Sequence, residues 1–494
     1  MDFLGETHFL SLPRHDLLVS AGTPTGVPDT TTLAAHDFDV DTRTGFLPPQ
    51  APLSRLPSAW EEWEVALDQA ISSHLQLGDK IDLHQMEKHT SERWRERVRK
   101  VWRFLRLKAF VYQNSPLLSK LPILLVKDLT KSEVQLRRAH LVLAWILHFY
   151  IHSLPPTDPI RIPPSITIPL LQVSKHLQLP PLLTYSDDVL YNWHLESDDP
   201  DELPEIYTMR SRTTFTSTND EREFYLVSAR IELAGVEALE LMRSALDEMF
   251  VGDDIAIRRI TGYLYQLVEV IHRLRELLLE VKRGCDPQVF FHKIRPWLMG
   301  EDSQTGRKWI FEGIEEDPTL SVPEELSGPS AGQSSLIHAL DIFLGVDTSF
   351  HGEDVTTHDP EVTARQHKSF LQRMQLYMPR YHRAFLTHLS NNTSQLRDLV
   401  LSASNGSLPG LSLEYAELST QDSAALVEAY NAAVTSLKEF RDAHMVIVAL
   451  YIIGPARHTR SSVSESNCMK GTGGTNLVRF LKGVRDQTRE ALIS

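Results

Sequence analysis

Val434-Thr435-Ser436-Leu437-Lys438-Glu439-Phe440-Arg441-Asp442-Ala443-His444-Met445-Val446-Ile447-Val448 is the stretch whose periodicity decides the fold. At helical spacing its inward stripe reads Val434, Leu437, Phe440, His444, Ile447 and Val448 and runs on to Tyr451, with Arg441 one turn before the histidine. The stripe belongs to a helix predicted over Asp422 to Ile453. The same period recurs over Glu221 to Phe250, Asp254 to Arg283, Ala331 to Leu344 and Lys368 to Ser390, so this half of the chain is helix after helix. Gly284 stands where a C-terminal cap of the second of these belongs. Strand signals are nearly absent, and no repeat of fixed period occurs. Upstream, Ala59 to His74 places Trp60, Trp63 and Leu67 on one face, and Arg93 to Tyr112 and Lys131 to His152 predict two more helices.

The fold class that follows is all-α, mainly helical. Ala21 to Arg55, rich in Thr, Pro and Asp, reads as an extended arm rather than a packed element. Pro155 to Pro169 is broken by prolines, which lack the amide donor that helices and sheet interiors need. A linker is expected between Glu196 and Asp220. These breaks divide the chain into a partly irregular arm over residues 1–57, a small, mostly helical N-terminal domain over 58–205, and a large helical domain over 206–494.

Composition narrows the function classes. A net charge of −15 and a pI of about 5.8 leave no electrostatic footprint for nucleic acid or an anionic membrane. Cys285 and Cys468, the only cysteines, make neither a disulfide framework nor a zinc site. The start, Met1-Asp2-Phe3-Leu4-Gly5-Glu6, carries no signal-peptide pattern. The most apolar run, Leu141 to Leu154, is interrupted by His148 and His152 and falls short of the roughly 20 residues of a bilayer span. A cytoplasmic location is the expectation, and the sequons at Asn391, Asn392 and Asn405 then carry no meaning.

Several chemistries compete. A lone histidine on an apolar face, such as His444, is either a satisfied core residue or an axial ligand for a haem iron, which needs a neutral imidazole and an apolar wall. Gly328-Pro329-Ser330-Ala331-Gly332 matches the G-x-S-x-G elbow of serine hydrolases, but that motif must follow a buried strand, and Asp317 to Glu325 is acidic and proline-broken. The glycine-rich run Lys470-Gly471-Thr472-Gly473-Gly474-Thr475 lacks P-loop spacing and a preceding strand, and reads as a flexible turn. No H-E-x-x-H occurs, and His84 and His89 lie five apart, off one helical face.

Several separated stretches together resemble the indoleamine 2,3-dioxygenases. They are Leu179-Pro180-Pro181-Leu182-Leu183-Thr184-Tyr185, Phe224-Tyr225-Leu226-Val227-Ser228, Phe290-Phe291-His292-Lys293-Ile294-Arg295, Gly328 to Ser335, Phe370 to Pro379, His382 to Leu386, Arg441-Asp442-Ala443-His444, and Gly471 to Thr475. The resemblance covers about residues 130 to 490, and no single short motif carries it.

What it implies is specific. The fold would enclose one haem b between helices of the large domain, with His444 as its only protein ligand and the opposite face open to O2. Arg441 and Asp341 match positions that support the proximal side, and Ala331 and Gly332 beside Ser330 would let the backbone approach the porphyrin edge. Tyr185, Phe224 and Phe290 would wall a flat indole, with Ser228 and Ser330 small enough to leave oxygen room. Arg295 would bind an amino-acid carboxylate, because a guanidinium makes the bidentate bond that lysine cannot. Thr472 matches a mobile residue that closes over the substrate ammonium.

The implied reaction inserts both atoms of O2 across the indole C2–C3 bond of L-tryptophan to give N-formylkynurenine, the first step of kynurenine-pathway catabolism. That distal set holds no histidine or carboxylate, as a reaction without a general base requires. An external electron donor would keep the iron ferrous, and a monomer is expected. The alternatives are a related indoleamine such as tryptamine as the better substrate, or a haem-binding member of the fold acting as a signalling module. Three features depart from the pattern: Tyr225 in place of a second phenylalanine, polar loop-like stretches at Glu353 to Gln366 and Pro455 to Cys468, and a long proline-rich start over Ala21 to Pro57.

Overall fold

The computed structural model describes residues 38–80, 82–113, 126–197, 199, 202–303, 307–346, 370–405, 420–458, 471 and 477–493. The first half is built on α1 (Glu61–Ser72), α2 (Gln85–Gln113), α3 (Glu133–His152) and α4 (Pro164–Leu177). Helix α3 is buried from Leu136 to Ile151, and a helix enclosed on all sides belongs inside a core. Ser132 caps it by accepting from the Gln135 amide. Trp63 and Leu67 of α1 are buried beside it, and the Trp94 indole N–H ties α2 to the Ala66 carbonyl at 2.9 Å.

The second half consists of α5 (Asn219–Ala234), α6 (Val236–Val251), α7 (Asp254–Gly284), α8 (Ser335–Phe343), α9 (Arg380–Ser404), α10 (Thr420–Val448) and α11 (Leu477–Glu490). The long helix α7 lies along α10 and also meets α5 and α6, while α10 packs on α9 and α11, and α8 on α9. The predicted mainly helical class holds. Strands are minimal: β1 (Ile160–Ile162) pairs in parallel with β4 (Trp309–Phe311), and β2 (Trp193–His194) pairs antiparallel with β3 (Arg210–Ser211). No helix among the described residues is long and apolar enough to cross a membrane.

The helices differ from their predicted limits for local reasons. Glu221 to Phe250 is two helices that meet at Gly235, where any Cβ would lie 2.2 Å from the Leu336 side chain of α8. Lys368 to Ser390 is broken at Pro379 into Phe370–Gln375 and α9, and α9 continues to Ser404. The predicted helix over Ala331 to Leu344 begins as a 3-10 turn, Ala331–Gln333, before α8. Pro164 opens α4 at its first position, where no amide donor is needed, so the proline-rich stretch starts a helix as well as ending one. Gly284 is the last residue of α7 rather than a left-handed cap, and its hydrogen faces the Glu223 side chain at a distance that would not admit a methyl group.

Two segments read as loose pack tightly instead. Within the expected arm, Phe46 is buried and its ring lies 4.9 Å from the His382 ring and 5.5 Å from Phe385 of α9. Within the expected linker, Phe215 is 2% exposed and stacks on Trp145 at 4.1 Å and Trp297 at 5.3 Å, with Phe149 edge-on at 4.8 Å. Of the loop expected over Pro455 to Cys468, residues 455–458 continue the short helix Gly454–His458 and the remainder lies outside the described residues, as does Glu353 to Gln366.

Phe215→Ala empties the centre of this aromatic stack, which ties α3 to the turn holding Trp297. It is expected to destabilise the protein by about 3–5 kcal/mol, read as a lower urea midpoint. A loss under about 1 kcal/mol would mean that the stack closes over the gap.

Candidate active site

Three single turns of π-helix border one internal cavity, and each supplies part of its wall. The first, Ser186–Leu190, follows Tyr185 and packs on α5. The second is Phe290–Ile294, and the third, Ala449–Ile453, widens the end of α10. Such wide turns are frequent at functional sites. The second one resolves a spacing problem in the sequence. Arg295 follows Phe290 by five residues, off one α-helical face, but here the Arg295 amide bonds the Phe290 carbonyl, so the two residues stack on the same side of a five-residue turn.

The cavity encloses about 1830 Å³ of space free of protein atoms, part of it open to solvent. Tyr185, Phe224, Ser228, Phe290, Arg295, Ser330, Ala331, Gly332, Asp341, Arg441 and His444 all line it, so the residues singled out across 260 positions of sequence meet at one place. Gly471 also lines it, whereas Thr472 lies outside the described residues. Phe440, Ile447, Val448, Leu481 and Val484 supply an apolar wall around His444.

His444 differs from the other buried histidines. His148 bonds the Trp297 carbonyl at 2.7 Å and accepts from the Leu183 amide, while His140 bonds Asp187 at 2.8 Å and His338 bonds the Gly332 carbonyl at 2.9 Å. These are satisfied core residues. The His444 imidazole has no hydrogen-bond partner among the described residues, and its ring is half-buried because it borders the cavity. Burial, then the Arg441 charge, push its pKa down to about 4, so the ring is neutral at pH 7 with a nitrogen lone pair available.

One turn earlier on α10, Arg441 forms a buried ion pair with Asp341 of α8 and donates to the Thr488 hydroxyl of α11. Thr488 in turn donates to the Val484 carbonyl at 2.8 Å. Across the cavity, the Tyr185 hydroxyl (3.0 Å) and the Ser334 hydroxyl (2.6 Å) both donate to Glu232 Oε1, and Gln333 accepts from the Tyr185 amide at 2.8 Å. Burial pushes Glu232 up to about 7 against the opposing effect of those two hydroxyls.

The backbone around Ser330 approaches its neighbours closely. A Cβ on Gly328 would sit 2.0 Å from the Leu298 carbonyl oxygen, and one on Gly300 would sit 2.2 Å from that of Leu326. The Ser330 hydroxyl accepts from the Gly332 amide, residues 317–330 form no strand, and the nucleophile-elbow geometry is absent there. Tyr225 points away from the cavity wall, and its hydroxyl donates to Glu221 at 2.9 Å.

Two acids escaped the sequence analysis, Glu232 behind the cavity and Asp188 within its lining, as did Leu481, Val484 and Thr488 of α11. The distal set drawn from the resemblance contained neither of these acids. A single acid between apolar neighbours gives no periodic signal, so nothing in the sequence separates it from a solvated side chain. Among the described residues no group of three or more His, Cys, Asp or Glu is placed to hold a bare metal ion.

Comparison with known proteins gives a consistent match. The indoleamine 2,3-dioxygenase family model matches residues 34–491. Indoleamine 2,3-dioxygenase of Saccharomyces cerevisiae is 31% identical over 448 residues, covering 83% of this chain and 90% of its own. Indoleamine 2,3-dioxygenase 1 of Rattus norvegicus is 30% identical over 381 residues, with 76% and 84% covered. A 6-hydroxytryptophan 2,3-dioxygenase of Fusarium equiseti is 27% identical over 469 residues, with 92% and 97% covered. The chain thus belongs to the indoleamine 2,3-dioxygenase family, whose members are haem-dependent oxidoreductases.

Proposed function

We propose that this chain inserts O2 across the indole C2–C3 bond of L-tryptophan or a close indoleamine, opening the ring to an N-formylkynurenine-type product. The observation that carries the reading is His444: a neutral imidazole without a protein partner among the described residues, facing a large cavity with an apolar wall. That donor and the apolar wall beside it fit haem b, which His444 would hold through an imidazole nitrogen. Haem, when bound, supplies the activation of O2. A reductant from outside the chain would keep the iron ferrous. Residues 206–494 then form the haem and catalytic domain, and kynurenine-pathway catabolism in the cytoplasm by a monomer is the setting proposed.

The chain's own residues do the rest. Arg441, Asp341 and Thr488 fix the azimuth of α10, and with it the direction of the His444 ring. Phe224 and Phe290, with ring centroids 4.6 Å apart, and Tyr185 form aromatic walls that orient a flat indole. Arg295, 6% exposed and with its guanidinium 5.5 Å from the Phe291 ring centre, anchors the substrate carboxylate by paired N–H donors. Ser228 and Ser330, with Ala331 and Gly332, keep that end of the cavity small and polar without filling it. Confinement excludes water and holds the indole for attack, so no side chain has to move a proton.

Expressed with haem supply, His444→Ala is expected to lose the Soret band and stoichiometric haem while its far-ultraviolet circular dichroism is unchanged. Retention of haem with an unaltered spectrum would remove His444 as the ligand. Arg295→Ala should keep haem, yet lose about 10- to 150-fold in kcat/KM for tryptophan, the worth of a charge-assisted hydrogen bond of ~1.5–3 kcal/mol. Arg295→Lys should recover little of it, since an ammonium cannot reproduce the fork. Turnover by Arg295→Ala equal to that of the parent would place the carboxylate elsewhere.

A further inference from the structure

Tyr451 is a cavity residue to which the reaction above gives no part. It stands in the third π-turn, about two helical turns after His444, and both residues line the cavity. Its side chain is 2% exposed. The ring meets that of Phe290 edge-on, with centroids 5.8 Å apart and planes at 72°, and Phe290 lies 4.6 Å from Phe224. Phe224, Phe290 and Tyr451 thus form a run of three rings from α5 to the end of α10.

The hydroxyl of Tyr451 is engaged by backbone. It lies 2.6 Å from the Cys285 carbonyl oxygen and 3.0 Å from that of Val281. These carbonyls stand at the C-terminal end of α7, where helical carbonyls run out of amides to accept from. Val281 accepts from the Cys285 amide at 3.0 Å. Cys285 has no such continuation, since Pro287 has no amide and the Gln288 and Val289 amides donate to the Asp286 carboxylate at 2.8 and 3.1 Å. Cys285 is 3% exposed, and the tyrosine supplies the donor where little water reaches.

From that tie the chain takes five residues to Phe290, through the short turn Pro287–Val289 into the second π-turn. The second and third π-turns also touch directly. Tyr451 therefore holds Phe290 twice, by the edge of its ring and by the backbone from which the Phe290 turn departs. Packing alone would be served by phenylalanine, which fills the same space with no phenol to match. A wall of rings discriminates by size only when it does not yield. In a firm apolar pocket one extra carbon is worth about 10- to 200-fold in rate.

We propose that Tyr451 is a specificity-determining positioning residue: by fixing Phe290 it sets the width of the slot that holds the indole, and so the size of ring that is turned over. The inference rests on the dioxygenase reading.

The test uses the haem-loaded enzyme with tryptophan and its isomers methylated on the benzene ring, in the parent, Tyr451→Phe and Tyr451→Leu. For each substrate kcat/KM and a calorimetric dissociation constant are measured. Tyr451→Phe keeps the ring and loses the tie, whereas Tyr451→Leu loses both. In Tyr451→Leu the kcat/KM of at least one methylated isomer relative to tryptophan should rise by about tenfold or more, the lower end for one carbon in an apolar pocket. In Tyr451→Phe the same ratio should rise by a smaller factor, with haem content and the Soret band those of the parent. A role confined to stability would lower the unfolding midpoint and slow all substrates alike. Ratios unchanged in both variants would therefore overturn the assignment. Phenylalanine preserves the volume, so it decides the question if the leucine variant fails to take up haem. Absence of turnover with all indoles in the parent would instead defeat the dioxygenase reading, and the ratio of dissociation constants would still decide the role of Tyr451.

Discussion

The buried ion pair between Arg441 and Asp341 is the constraint on which the cavity depends. Removing two charges from water costs several kcal/mol per ion, and the pair recovers this only when geometry is close and further hydrogen bonds complete it. Thr488 supplies such a bond, so α8, α10 and α11 are tied at one point. The tie lies on α10 three residues before His444, and a rigid helix transmits its orientation directly to the imidazole. The same arginine lowers the basicity of His444 through space, second only to burial. One interaction therefore bears on where the nitrogen lies and, after burial, on its protonation state.

On the other side the Glu232 carboxyl plays the corresponding part, gathering Tyr185, which precedes a π-turn, and Ser334, which caps α8. The cavity is thus held open by polar ties that its own lining residues make, to one another and to Thr488 and Glu232 behind them. This matters because an apolar cavity of this size lowers stability in proportion to the contacts its walls forgo. Such a cavity persists only where surrounding elements are fixed independently. The aromatic stack of Trp145, Phe215 and Trp297 does the same for the loop that carries Arg295.

Much of this was legible in the sequence, and the remainder was hidden for identifiable reasons. The stripe from Val434 to Tyr451 gave the helix and its buried face because amphipathic periodicity survives any tertiary context. The likeness of scattered short stretches brought Tyr185, Phe224, Phe290, Ser330 and Arg441 together, which spacing alone has no means to do. The π-turns left no trace, since widening a helix by one residue leaves its apolar composition unchanged. Phe215 sat in a polar, proline-flanked segment whose composition said linker, and only the partners on α3 and beside Arg295 made it core. Gly235 looked like a residue inside one long helix, because what excludes a side chain there is Leu336, about a hundred positions away.

Surroundings, not sequence, set His444 apart from three other interior histidines. His140, His148 and His338 look no different in sequence from His444. In the folded chain the first three are hydrogen-bonded by the protein, and His444 borders the cavity with no such bond to another described residue. Folding selects strongly against leaving a buried donor or acceptor unmatched, because the desolvation of that group is not offset. A bound group as the partner of His444, proposed above to be haem, accounts for the contrast.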